Sequence, residues 1–156
     1  MSGQSETLSK ARLRGWLKLL KASNGIEAEI RRRLRDGHNT TLPRFDVMSD
    51  LARYPDGLKM SDLSTFLRVS NGNVTGIVDK LTEEGLAQRV AVPGDKRAQV
   101  ARLTRKGAAE FENLASRHES WINSLLDGLT NEDLATLSDS LERVLAQSTE
   151  QERADA

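Results

Sequence analysis

A short polar segment near the middle of the chain carries side chains that can read a pattern of hydrogen-bonding groups. The residues concerned are Ser70, Asn71, Asn73, Thr75 and Lys80. Asn can pair bidentately with adenine, Thr can contact a base edge or a thymine methyl group, and Lys can meet a phosphate. We therefore expect these side chains to serve the major groove of double-stranded DNA and the phosphates beside it. Gly72 and Gly76 lie among them, and their missing side chains would let the backbone approach DNA closely.

These side chains need a helix to present them, and the sequence predicts one from Ser70 to about Gly85. Its apolar residues fall at helical spacing and form one stripe opposite the polar positions: Val74, Ile77, Val78 and Leu81. A shorter helix from Ser61 to about Leu67 precedes it, with a tight turn at Arg68–Val69 between the two. Each helix opens on a serine that can accept a hydrogen bond from an N–H group of the first turn. Gly85 is expected to be the C-cap of the second helix.

Two short strands follow directly and predict a β-hairpin wing. Ala87–Val92 and Gln99–Leu103 favour strands, and Pro93–Arg97 between them has the composition of a turn. Leu58–Met60, before the first helix, is expected to be a brief strand that pairs with the hairpin. Together these elements make a helix-turn-helix with a wing.

The tip of the wing carries Asp95, Lys96 and Arg97. Cations on a protruding loop suit the narrow, electronegative minor groove of DNA, so we expect these three residues to serve that groove. We further expect Asp95 to hold the Arg97 side chain through a charge-assisted hydrogen bond.

Three short motifs run through this segment. They are L-x-x-x-G-L-x-x-R at Leu81, Gly85, Leu86 and Arg89, D-x-R at Asp95-Lys96-Arg97, and L-T-x-K-G at Leu103-Thr104-Arg105-Lys106-Gly107. Together they resemble the MarR family of winged-helix bacterial regulators, named for multiple antibiotic resistance. The chain departs from the family at two positions. Arg68 stands where many members have a small residue, and Gly76 where many have a basic one, so a direct arginine contact from position 76 is absent.

The resemblance implies a homodimeric transcriptional regulator, usually a repressor that releases a pseudo-palindromic operator when a small molecule binds. It places this effector in the crevice between the dimer helices and the winged helix. It also implies that the effector is an aromatic carboxylate, a phenol or an acyl-CoA thioester. The candidate effector contacts in this chain are Trp16, Arg32, Arg35, His38, Arg44 and Phe45.

Each of these candidates also has a structural interpretation. Trp16 lies on an apolar stripe and could belong to a core, whereas Arg44 stands at a helix start and could be solvated. The basic run Arg31–Arg35 could meet the phosphates of a coenzyme A. The sequence favours the alternative, a solvated face near a helix C-terminus, where cations favour the helix dipole. The sequence leaves these alternatives open.

Long amphipathic helices flank the winged helix, so the expected fold is mainly α with a small β wing (α+β). They are expected over residues 8–35, over residues 105–127 with Thr104 as the cap, and from a cap at Thr130 onward, where Asp133 would complete a capping box. The domain organisation that follows is an N-terminal dimerisation helix and loop at 1–42, the winged helix-turn-helix at 43–103, C-terminal dimerisation helices at 104–147 and a polar, frayed tail at 148–156. The apolar stripes of these helices favour a two-fold dimer over three helices packed within one chain.

The net charge of the 156-residue chain is zero, but the charges are unevenly distributed. Residues 1–86 hold 14 Lys+Arg against 11 Asp+Glu, residues 87–106 hold 6 against 1, and residues 107–156 hold 3 against 11. The basic block coincides with the wing. This partition favours a DNA-facing end and an acidic end facing solvent or a partner.

Nothing in the sequence indicates an enzyme, a metal site or a bound cofactor. The two histidines, His38 and His118, lie far apart, and there is no cysteine. His118 falls on the apolar stripe of a helix and is expected to be packed there. No segment is apolar over a membrane-spanning length, and the N-terminus lacks the apolar core of a signal peptide. We therefore expect a cytoplasmic protein with no membrane partner.

Two rival functions remain at this point. One is a winged-helix protein-interaction module without specific DNA binding, which Arg68 and Gly76 favour and the basic wing opposes. The other is an enzyme acting in the dimer crevice. It ranks far behind, because the sequence shows no pairing of a nucleophile with a base and no metal-ligand spacing.

Overall fold

The computed structural model describes residues 6–67 and 71–156, without the side chains of Asn71 and Lys96. The described residues form six helices and three strands. In chain order these are α1 (Leu8–His38), α2 (Leu42–Arg53), β1 (Leu58–Lys59), α3 (Met60–Leu67), α4 (Asn71–Glu83), β2 (Ala87–Val92), β3 (Asp95–Leu103), α5 (Arg105–Leu125) and α6 (Asn131–Ala154). The predicted fold class, mainly helical with a small β wing, is confirmed.

The core of the winged helix forms where α2, α3 and α4 meet the sheet. The apolar stripe of α4 is buried as its spacing predicted, with Val74, Val78 and Leu81 fully inaccessible. They pack with Val47 and Leu51 of α2 and with further buried residues of the same cluster. Each such side chain stabilises the fold by about 1.5–3 kcal/mol relative to an exposed one. Because α4 buries this stripe, its opposite face points away from the core.

The sheet is antiparallel, with β3 in the centre of the order β1–β3–β2. Leu58 of β1 pairs with Ala101, which confirms the brief strand expected before α3. The β2–β3 ladder is regular up to Ala91 and has a bulge between Ala91 and Val92. Pro93 and Gly94 make the turn, and Gly94 has a φ of 85°, a conformation that favours glycine.

Threonine side chains cap four of the described helices, beginning with Thr7 at the start of α1. Thr41 accepts a hydrogen bond from the backbone N–H of Arg44 at the start of α2. Thr104 accepts one from the N–H of Gly107 and so caps α5, as expected. Thr130 and Asp133 make the predicted capping box at the start of α6. These caps satisfy N–H groups that have no partner inside their helix.

Several predicted boundaries are wrong. Ser61 does not cap α3, because β1 leads straight into the helix at Met60; the Ser61 carbonyl instead accepts a hydrogen bond from Thr65 Oγ1. β3 begins at Asp95 rather than Gln99, because two residues suffice for the turn. α1 continues past residue 35 to His38.

The tail is also more ordered than its composition suggested. α6 runs to Ala154 instead of fraying from Ser148. The hydroxyl of Ser148 donates to the carbonyl of Val144, and that of Thr149 donates to the carbonyl of Leu145. These side chains therefore find partners on the preceding helical turn.

The chain divides into two compact units. The first ends at Glu119 and contains the winged helix, and the second begins at Ser120 and contains α6. Over the described parts of both units, every helix is either too short or too polar to cross a bilayer.

Candidate nucleic-acid interface and adjoining cleft

The outward face of α4 carries three of the polar residues singled out in the sequence. Asn73 and Lys80 are exposed and Thr75 is half-buried. Asn71 is the first residue of the helix, its side chain lies outside the description, and Ser70 lies outside the described residues altogether. This face borders an open groove of about 280 Å³, whose lining residues are Thr41, Arg44, Gly72, Asn73, Gly76, Ile77 and Lys80. The start of α2 therefore contributes to the same surface as the predicted major-groove residues.

The wing places Asp95 and Arg97 on the surface. The carboxylate of Asp95 accepts a hydrogen bond from the backbone N–H of Arg97 at 3.0 Å. The bond expected to the Arg97 side chain is therefore replaced by one to its backbone, the arrangement that aspartate commonly adopts at turns. Asp95 thus fixes the path of the chain at the tip, and the Arg97 side chain extends into solvent.

The wing is tied to α4 by an ion pair that the sequence did not reveal. Arg89 Nη2 of β2 lies 2.7 Å from Asp79 Oδ1 of α4. Arg89 belongs to the L-x-x-x-G-L-x-x-R motif, and this motif was the only signal of its importance. The pair links the two elements predicted to contact DNA.

The C-terminal end of α4 is held against the start of α5. Gly85 has a φ of 74° and ends the helix as predicted, and the N–H of Leu86 turns back to the carbonyl of Leu81 at 2.8 Å. Thr104 then donates its hydroxyl to the carbonyl of Gly85 at 2.6 Å and its N–H to the carbonyl of Leu86 at 3.0 Å. Gly107 packs against the same carbonyl of Leu86.

A cleft of about 310 Å³ opens beside this junction. It is lined by His38, Asn39, Thr40, Arg44, Met48, Glu84, Leu86, Lys106, Glu110, Asn113, Leu114 and Arg117. Arg44 lies 2.5 Å from Glu84 and also donates to the hydroxyl of Thr40 at 3.3 Å. Lys106 Nζ donates to the backbone carbonyl of Glu84 at 3.2 Å. The cleft thus combines apolar walls with several cationic groups and two carboxylates.

The structure brings two of the six predicted effector residues to this cleft, His38 and Arg44. Phe45 instead lies in the core, 6% exposed, with ring centroids 5.5 Å from Phe111 and 4.7 Å from His118. Burial lowers the pKa of His118, which is packed as expected. Trp16 is on α1, half exposed, and does not line the cleft.

The arginines near the end of α1 are engaged with acidic neighbours on the same helix. Arg32 pairs with Glu29 at 2.6 Å, and Arg35 Nε lies 3.1 Å from Asp36. Hydrogen bonds from Arg32 and Arg33 lower the pKa of Glu29 to about 2. Neither Arg32 nor Arg35 lines the cleft. Lys106 and Arg117 do, and of these only Lys106 had a sequence signal, through the L-T-x-K-G motif.

Comparison with known proteins shows which family this chain resembles. The MarR family profile matches residues 40–98. The multiple antibiotic resistance protein MarR of Salmonella typhimurium is 33% identical over 106 residues, which cover 67% of this chain and 73% of that protein. The chain belongs to the MarR family. The predicted family is therefore confirmed.

Solved MarR-family structures agree along nearly the whole chain. A regulator from Silicibacter pomeroyi superimposes with a TM-score of 0.74 at 30% identity, covering 92% of this chain and 99% of that one. A mutant E. coli MarR solved with operator DNA gives a TM-score of 0.72 at 25% identity, covering 90% and 99%. This chain aligns with 47% to 73% of the length of the curated relatives that it matches.

Membership of this family makes the protein a DNA-binding transcriptional regulator. MarR-family members are regulators rather than enzymes, which agrees with the expectation that the chain has no catalytic function. The described residues contain no cluster of three His, Cys, Asp or Glu that could hold a metal ion.

Proposed function

We propose that the protein is a homodimeric repressor that binds a pseudo-palindromic operator and releases it when an organic acid enters the cleft beside α4. The α4 face would read the major groove through Asn73 and Thr75, with Lys80 on a nearby phosphate. The wing would enter the minor groove through Lys96 and Arg97. The observation that carries the proposal is the outward polar face of α4, tied by an ion pair to a wing whose segment, residues 87–106, holds 6 Lys+Arg against 1 Asp+Glu.

Exposed apolar side chains support the dimer. Those on α1 are Leu8, Leu13, Trp16, Leu17, Leu19 and Leu20, and those on α6 are Leu137, Val144 and Leu145. Their exposed fractions range from 39% to 65%, and several large exposed apolar side chains on one helix favour an interaction site on each of the two helices. In a two-fold dimer the two copies of α4, the recognition helix, would read half-sites about one helical turn of DNA apart.

The composition of the cleft supports an acidic effector. His38, Arg44, Lys106 and Arg117 offer hydrogen-bond donors, and Met48, Leu86 and Leu114 offer apolar contacts. A planar aromatic acid matches this combination, because apolar walls with a few placed polar groups are what small-molecule sites generally provide. Its CoA thioester is the larger alternative.

The test is binding of the purified protein to the DNA upstream of its own gene, titrated across salt concentrations. We expect a specific complex with a steep salt slope. Arg97→Ala should weaken that complex about tenfold or more while leaving the thermal midpoint unchanged. Arg153→Ala removes the same charge from the last turn of α6 and should have little effect.

Two outcomes would contradict the proposal. If Arg97→Ala binds as well as the parent, the wing does not contact DNA. If neither the upstream DNA nor genomic fragments give a specific complex, the protein is better described as a winged-helix interaction module. Release of the complex by benzoate or salicylate would support the acidic effector.

A further inference from the structure

Arg44 occupies a position shared by two surfaces. Among the described residues, it alone lines both the cleft beside α5 and the groove beside the outward face of α4. Its side chain is only 20% exposed, so its guanidinium is held in place rather than solvated. A change in the partner of Arg44 would therefore alter the lining of both the cleft and the groove.

Glu84, the partner of Arg44, immediately follows the last residue of α4. The N–H of Glu84 bonds to the carbonyl of Lys80 at 3.1 Å, and its own carbonyl accepts a hydrogen bond from Lys106. Its carboxylate reaches back across 40 residues of sequence to Arg44 on α2. The end of α4 is thus tied to α2 by a side chain and to α5 by its backbone.

The carboxylate of Glu84 lies where an anionic ligand would find its strongest partner. Arginine holds a carboxylate best through its planar, forked array of donors, and Glu84 already occupies part of that array. A ligand carboxylate must therefore displace Glu84 or accept a weaker position. Displacement costs little, because ion pairs with a partly exposed member are weak, and Glu84 has Lys106 close by as an alternative partner.

We propose that Glu84 competes with a ligand carboxylate for Arg44. When a ligand in the cleft displaces Glu84 from Arg44, the contacts that hold the end of α4 change. This inference rests on the proposed function, since it requires an acidic effector in the cleft. The exchange removes the link between α2 and the residue that directly follows α4. It also commits Arg44 to the ligand, away from the groove that faces DNA. Both changes weaken operator binding.

The proposal predicts a combination of effects in Glu84→Gln that ordinary structural damage would not produce. A glutamine has a similar size but no charge, so it competes poorly for Arg44. We expect benzoate, measured by calorimetry, to bind Glu84→Gln about fivefold more tightly than it binds the parent. At the same time, saturating benzoate should weaken DNA binding much less in this variant than in the parent, because the link that it breaks is already lost.

Glu110→Gln is the matched control. Glu110 is a second carboxylate of the same cleft, so its loss changes the local charge by the same amount. If general electrostatics governs affinity, the two variants will bind benzoate equally tightly. If Glu84 is the specific competitor, the gain in Glu84→Gln will clearly exceed that in Glu110→Gln, and only in Glu84→Gln will the benzoate effect on DNA binding become smaller.

The outcomes separate this inference from the proposed function. If benzoate binds the parent and Glu84→Gln alike, and weakens DNA binding equally in both, the exchange is overturned and the acidic effector stands. If neither benzoate nor salicylate binds the parent or Glu84→Gln at millimolar concentration, both the aromatic-acid effector and the exchange are wrong. In either case, salt-dependent binding of the upstream DNA by the parent tests separately whether the protein binds an operator.

Discussion

Gly107 of α5 and Leu86, just after the recognition helix, are in direct backbone contact. A Cβ atom at position 107 would lie 1.8 Å from the carbonyl oxygen of Leu86. That carbonyl is fixed, because it also accepts the N–H of Thr104. The obstacle is therefore backbone that cannot move without breaking the junction between α4 and α5, and only glycine fits at this position.

Replacing this glycine should destabilise the protein strongly. We expect Gly107→Ala to lower the free energy of unfolding by about 3 kcal/mol, the upper range for overpacking a filled site. Gly76→Ala is the matched control, since a Cβ there would meet nothing within 4 Å. Urea unfolding of both variants checks this. Equal stability of Gly107→Ala and the parent would show that the backbone at Leu86 can shift to accommodate the added methyl group.

Gly76→Ala should affect stability and DNA binding in opposite directions. Alanine is favoured over glycine inside a helix by about 1 kcal/mol, so the variant should unfold at higher denaturant concentration. If the backbone at position 76 approaches DNA closely, the added methyl group should weaken operator binding about threefold or more. Gly25→Ala, in open space on α1, should leave DNA affinity unchanged. Unaltered DNA affinity in Gly76→Ala would place the DNA away from this turn of α4.

Features encoded within a few residues could be predicted from the sequence. The stripe of α4, the Gly85 cap, the three strands and the caps at Thr104 and Thr130 all depend on neighbours along the chain. Contacts between residues that are far apart in the sequence could not be predicted. Arg44 and Glu84 are 40 residues apart. Phe45 was both an apolar position of its helix and a candidate effector contact, and only the packing of Phe111 and His118 of α5 against it assigns it to the core.

A buried carboxylate on α2 makes stability depend on pH. Asp50 is 8% exposed, and within the described residues its Oδ2 has no hydrogen-bond partner. Burial raises the pKa of Asp50, and Arg53, 3.8 Å away, only partly opposes this. Because the folded pKa lies above the unfolded value, the folded state binds more protons between the two. Stability therefore falls as pH rises through this window, and the cost persists at neutral pH.

Asp50→Asn should remove that cost. At pH 7 we expect the variant to be more stable than the parent by up to about 1 kcal/mol, since a neutral amide is cheaper to bury than a charge. The difference should shrink as pH falls through the raised folded pKa and be lost below the unfolded pKa of about 4. Denaturant unfolding at several pH values measures it, with the exposed Asp56→Asn as control. If the difference in stability between Asp50→Asn and the parent does not change with pH, it comes from packing and not from the charge of Asp50.

The ion pair between Arg89 of β2 and Asp79 of α4 should matter more for DNA binding than for folding. Both side chains are partly exposed, at 33% and 56%, so the pair contributes about 1 kcal/mol or less to stability. Its geometric effect is larger, because it fixes the wing relative to the helix face that would read the major groove. We expect Arg89→Gln to unfold like the parent and to bind operator DNA about tenfold more weakly.

Neutralising Asp79 separates positioning from simple charge. DNA is polyanionic, so if only charge mattered, Arg89→Gln would weaken binding and Asp79→Asn would strengthen it. If the pair positions the wing, both variants weaken binding, and the double variant is no worse than either single one. Operator titrations at two salt concentrations distinguish these cases, because a loss through charge shrinks as salt rises, whereas a loss through geometry does not. Tighter binding by Asp79→Asn would therefore rule out the positioning role of this pair.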